Sequence, residues 1–106
     1  MGLRILAQYE HRKSGDICTE SLRVDGQGLI PRADPKYAVQ ITLTEGPGNY
    51  RFPVPPEFNR QKHFTIPATE LPVPIHYGAN VTVSIIEKDR RGEKIIAQSP
   101  LRYRTV

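Results

Sequence analysis

Residues 80–86 read "NVTVSII". Val81, Val83 and Ile85 fall on one face of an extended chain, and Thr82 and Ser84 fall on the other. That alternation belongs to a half-buried strand. β-Branched side chains throughout the stretch add strand propensity. The same pattern stands in "YAVQITL" (37–43), with Val39, Ile41 and Leu43 opposite Gln40 and Thr42. Helical periodicity does not recur. Working outward, "LRILAQY" (3–9), "ICTESLRV" (17–24), "NYRFPV" (49–54), "KHFTIP" (62–67) and "EKIIAQS" (93–99) read as further strands, seven in all.

Turn residues separate these strands. "KSGD" (13–16) closes a hairpin between the first two, and "EGPGN" (45–49) turns between Leu43 and Tyr50. "DRRG" (89–92) suits a type I turn ended by a left-handed glycine. The long connections 25–36 and 68–79 carry Gly and Pro and do not read as helices. Pro55-Pro56-Glu57-Phe58 can open a single helical turn, where proline is favoured. The expected core is Val39, Ile41, Leu43, Phe64, Ile66, Val81, Val83, Ile85 and Ile95. A chain of 106 residues with no linker, repeat or low-complexity tail makes one domain over 1–106. Short strands with turns between them suggest a sandwich or a small barrel.

One longer segment, "HFTIPATELPVPIHYGANVTVSIIEKDRRGEKIIAQSP" (63–100), resembles the second half of a fibronectin type III or immunoglobulin-like domain. A strand ends in a loop of Leu and Pro, a strand of alternating Val follows, then a charged hairpin with glycine, then a last strand. The family's tyrosine would fall near Asn80, whereas this chain has Tyr77 and no tryptophan. The resemblance implies an all-β fold, a single antiparallel β-sandwich of about seven strands with immunoglobulin-like or jelly-roll connectivity. A small barrel of the oligonucleotide-binding type is the alternative.

Several function classes lack their residues. No apolar run is long enough for a membrane-spanning helix. The opening "MGLRILAQYEHRKSGD" has too short an apolar stretch for a signal peptide, and Leu6 breaks the myristoylation pattern. A cytoplasmic or virion location is expected. Cys18 is alone, so neither a disulfide nor a thiolate cluster forms within the chain. His11, His63 and His76 have no metal-ligand spacing, and His11 with Cys18 across the first hairpin reads as a turn histidine and a small thiol. Nucleophile elbow, phosphate loop and dinucleotide fingerprint are missing. Glu87 and Asp89 flank Lys88 at a strand end, beside Arg90, Arg91 and Lys94, which reads as a solvated hairpin. The expectation is a protein that is not an enzyme and holds no metal or cofactor.

Pro-Val-Pro occurs twice, at 53–55 and 72–74. Proline has no N–H for a ladder, so these segments lie at edges or outside the sheet. Either they cap the open ends of the fold or they present a surface. On the second reading, Phe58, Leu71, Val73, Ile75 and Tyr77 dock on another protein or another copy, with Arg60 and Lys62 on the rim. The expected role is a structural or assembly subunit, such as a viral decoration or tail protein, within an oligomer or larger assembly. The formal charge of +4 at pH 7 is compatible with an acidic partner. The alternative function is therefore single-stranded nucleic-acid binding through Tyr50, Phe52, Phe64, Arg102 and Arg104.

Overall fold

The computed structural model describes residues 2–28, 36–44, 48–55, 57–76 and 78–105, apart from the side chains at 36, 59 and 60. It is all-β, and each of the seven expected strands is there. They are β1 (Arg4–Ser14), β2 (Ile17–Gln27), β3 (Lys36–Leu43), β4 (Asn49–Pro53), β5 (His63–Pro67), β6 (Val81–Asp89) and β7 (Gly92–Thr105). The helical turn expected after Pro55 is α1 (Glu57–Gln61). The connection after β5 begins with a 3-10 turn at Ala68–Glu70, the one helical piece among the described residues of a loop whose sequence does not read as a helix.

The strands form one mixed sheet in the order β4-β3-β6-β7-β1-β2-β5, curled into a half-barrel. The expectation was a wholly antiparallel sandwich; the parallel pairing of β1 with β7 corrects the antiparallel part, and the barrel alternative fits the curl. The reason lies in β7. Its first part, through Pro100, pairs antiparallel with β6, and from Leu101 onward it pairs parallel with β1. One strand thus joins both halves. Reading the strand as ending at Ser99 missed this, because proline is a poor strand residue. Pro100 stands where β7 gives up one partner for the other, so its missing N–H costs little. The neighbouring Ser99 Oγ accepts from the Ala7 amide at 3.2 Å and donates to the Pro100 carbonyl at 2.9 Å, which satisfies backbone groups at the changeover.

Apolar side chains alternate onto the concave side. Val39, Ile41, Phe64, Val81, Val83 and Ile85 are buried there as expected, and Leu43 and Ile66 pack against them half-buried. Ile95 is the exception, at 52% exposed. A β-bulge shifts the register, so that Ile85 pairs with Ala97 while Ile86 pairs with Ile95. The extra residue, Ile96, flips the alternation, putting Ala97 inside and Ile95 outside.

A half-barrel leaves its concave side open, and two segments fill it. Leu71, Val73 and Ile75 alternate with the exposed Pro72, Pro74 and His76. Val73 and Ile75 join the core, and Leu71 packs against it. Leu71 has φ −74° and ψ 145°, the polyproline II region. From α1, Phe58 is 2% exposed and meets Phe64 edge-on, with ring centroids 5.4 Å apart. Its ring lies on Gly26, where an added Cβ would come within 2.9 Å of it. Lys62 ends α1 in the left-handed region at φ 58°, with its amide on the Phe58 carbonyl at 2.9 Å. The Lys62 carbonyl then accepts from the Gly26 amide at 2.6 Å, which ties α1 to β2.

Candidate functional site

The residues expected to dock are mostly inside. Phe58, Val73 and Ile75 are core side chains and Leu71 is half-buried, so the expected apolar surface on them is corrected. Among the described residues, these side chains give their apolar area to the core on the concave side of the half-barrel. Lys62 is exposed; Tyr77 and the Arg60 side chain lie outside the described residues. The stacking platform is equally dispersed. Phe64 is buried, and Tyr50 and Phe52 pack half-buried against the core while Arg51 points out. Arg102 and Arg104 are exposed on one face, with Tyr103 turned to the other.

One polar network closes an end of the concave side. β1 and β2 set His11 opposite Glu20, whereas Cys18 lies opposite Lys13 and is exposed. His11 therefore meets a carboxylate rather than the thiol, because a two-residue turn at Gly15 and Asp16 fixes the register. Tyr9 donates its hydroxyl proton to Glu20 Oε2 at 2.6 Å, and His11 Nδ1 lies 3.2 Å from Glu20 Oε1. The Tyr9 bond, with support from His11, holds the Glu20 carboxyl below its ordinary value against partial desolvation. Burial, aided by Glu20, pushes the Tyr9 hydroxyl well above the ordinary tyrosine range. The Tyr9 ring meets Tyr103 edge-on at 5.9 Å. Tyr103 in turn donates to the Ala79 carbonyl at 2.7 Å, with the His76 carbonyl at 3.3 Å. The immunoglobulin-like resemblance places a tyrosine near residue 80; here the tyrosine bonded to the backbone next to that position comes from β7.

The outer face of β4, β3, β6 and β7 is braced by side chains. Register places Arg51, Gln40, Ser84 and Gln98 in one row across the four strands. Arg51 Nε donates to Gln40 Oε1 at 2.8 Å, and Gln98 Nε2 donates to Ser84 Oγ at 3.3 Å. Arg51 Nη1 also reaches Glu93 Oε2 on β7 at 2.6 Å. Glu93 is level with Lys88, so this bridge runs diagonally across the sheet. Ile86 is on the outer face yet only 4% exposed, and Ile95 stands next to it. With Ala38 and Pro53 in the same row, Ile86 and Ile95 make an apolar spot on this face. The sequence reading missed it because the bulge reverses the side that Ile95 faces.

Other chemistry is dispersed. Among the described residues no group of three or more His, Cys, Asp and Glu is placed to hold a metal ion. Asp89 accepts from the Arg91 amide at 2.8 Å within its exposed turn, whereas Glu87, 3.9 Å from Lys94, has a side chain only 13% exposed and is not a solvated end. No helix among the described residues is long and apolar enough to cross a membrane. Comparison with family models, curated proteins and solved structures finds no match.

Proposed function

We propose that the chain is a non-catalytic interaction module that docks on another copy of itself or on a partner protein within a larger assembly. The observation that carries this reading is Ile95, half-exposed on the outer face beside the nearly buried Ile86. Arg51 is already bonded to Gln40 and Glu93 on that face, so docking has fewer side chains left to order. A small β domain presenting an outer sheet face suits a structural subunit, such as a viral decoration or tail protein, in the cytoplasm or the virion. That part rests on fold and size alone.

The connectivity supports the immunoglobulin-like resemblance as a proposal. β1, β2 and β5 are neighbours in one half, and β3, β6 and β7 in the other, with β4 added beside β3. Numbered in chain order, this corresponds to the ABE and CFG groupings of that family, with an added strand next to C.

Sedimentation velocity tests the docking face. The intact chain should self-associate with rising concentration, and Ile95→Asp should sediment as a monomer with an unchanged circular dichroism spectrum. A wild-type chain that stays monomeric at millimolar concentration, or an Ile95→Asp variant that assembles normally, overturns the self-docking reading.

A further inference from the structure

The convex face on the other half of the sheet carries charge of a different kind. Alternation along β1 sends Arg4, Leu6, Gln8, Glu10 and Arg12 outward, opposite the buried Ala7 and Tyr9. Parallel pairing sets Arg102 beside Gln8 and Arg104 beside Glu10, and β2 adds Arg23 on the other side of Gln8. Five of the chain's ten arginines thus share this face, with no lysine among its outward strand positions. Its acids are Glu10 and Asp25. Asp25 is taken by Arg23 in a two-pronged pair at 3.0 and 3.1 Å. Among the described residues, Arg4, Arg12, Arg102 and Arg104 are exposed and enter no ion pair.

We infer that this strip binds the phosphate backbone of single-stranded nucleic acid, an activity separate from the docking face. Arg4 and Arg12 bound a strip about 26 Å long, given the rise of a strand. Between them Arg102 and Arg104 stand about 7 Å apart, close to the separation of successive phosphates in an extended strand. Arginine is the cation whose planar fork matches phosphate. Shape chooses the form of the nucleic acid. A stiff duplex touches a convex face over a short arc, whereas a flexible single strand drapes over it. An acidic peptide would have to bring carboxylates to four fixed positions, while a nucleic acid carries a charge on every nucleotide and meets them in any register. Among the described strand positions of this face no Phe, Tyr or Trp points out, so binding is insensitive to sequence.

Fluorescence anisotropy with a labelled thymidine oligonucleotide of about 20 nucleotides tests this on the full chain. Four phosphate contacts give a log–log salt slope of about −2.8, so raising salt from about 50 to about 200 mM should weaken binding by about 50-fold. Arg102→Gln/Arg104→Gln should cost at least about tenfold at low salt and halve the slope to about −1.4. Arg90→Gln/Arg91→Gln removes the same charge from the β6–β7 turn and should leave both nearly unchanged. Glu10→Gln removes the anion beside Arg104 and should tighten binding, a gain that misfolding cannot produce. Three results overturn the inference: no binding at low salt, equal losses in the two double variants, or displacement of the oligonucleotide by polyglutamate as readily as by unlabelled oligonucleotide. A duplex that binds more tightly than the single strand overturns the choice of form. Ile95→Asp should bind the oligonucleotide as the wild type does, which separates this result from the fate of the docking face.

Discussion

Glu20 takes two partners from the neighbouring strand, and its response to acid follows from them. The Tyr9 bond first, then His11, lowers its pKa on folding despite partial desolvation. A depressed carboxyl contributes stability that is complete above its unfolded pKa and is lost as pH falls through the folded one. Stability should therefore decline from about pH 4 downward, and Glu20→Gln should flatten that decline in urea titrations across pH. Because Glu20 is about one-third exposed, solvent screening keeps the effect small, on the order of 1 kcal/mol. Gly26 is a second residue with a steric rather than electrostatic task. Alanine there would drive its methyl into the Phe58 ring and push on the Lys62 carbonyl 3.4 Å away. Gly26→Ala should cost about 1–3 kcal/mol in chemical denaturation, the usual range for forcing extra volume into a packed site.

At the level of elements, the 71–76 segment behaves as part of the core although it pairs with no strand. Its prolines hold it extended at little entropic cost, and alternate residues then reach the concave side. Ile75 is 7% exposed and Leu71 half-buried, so the same substitution should have different outcomes at the two positions. Ile75→Asp buries a charge without a partner and should lower stability by at least about 3 kcal/mol, enough to unfold a marginal domain. Leu71→Asp should cost about 1 kcal/mol, as its carboxylate can turn to solvent. Thermal melts of the two variants check the contrast. Equal losses would mean that the segment is not seated as described. β7 shows the same dependence of an element on its neighbours. Pro100 reads as a strand terminator, yet the strand continues because β1 takes over where β6 ends.

Across the whole molecule, the curl of the sheet sorts the side chains into one concave and two convex surfaces. The concave surface is used up by the core, α1 and the 71–76 segment. The convex surface of β4, β3, β6 and β7 is braced and carries one exposed isoleucine. That of β7, β1, β2 and β5 carries most of the unpaired arginines of the strands. The surfaces are separate, so Ile95→Asp and the Arg102/Arg104 pair should affect different measurements. Basic residues that are scattered along the sequence are gathered here by strand order, since β1 and β7 lie at opposite ends of the chain and pair side by side.

Local pattern alone determined the seven strands, the hairpin turns at Gly15 and Gly92, the helical turn at Glu57 and the burial of Val39, Ile41, Val81, Val83 and Ile85. Period-two alternation and turn chemistry act over a few residues, and no distant contact overrides them. The outward arginines at 102 and 104 were legible for the same reason. Three features depended on tertiary structure. Ile95 faces out because a bulge against β6 inserts Ile96, and a bulge is a property of two strands. The sheet is continuous because β7 changes partners at Pro100, where Ser99 supplies the bonds that the backbone lacks. Phe58, Val73 and Ile75 are core rather than surface because a half-barrel needs apolar cover on its concave side. An apolar side chain next to proline reads alike whether it covers a core or a partner, and only the curl of the sheet decides between them.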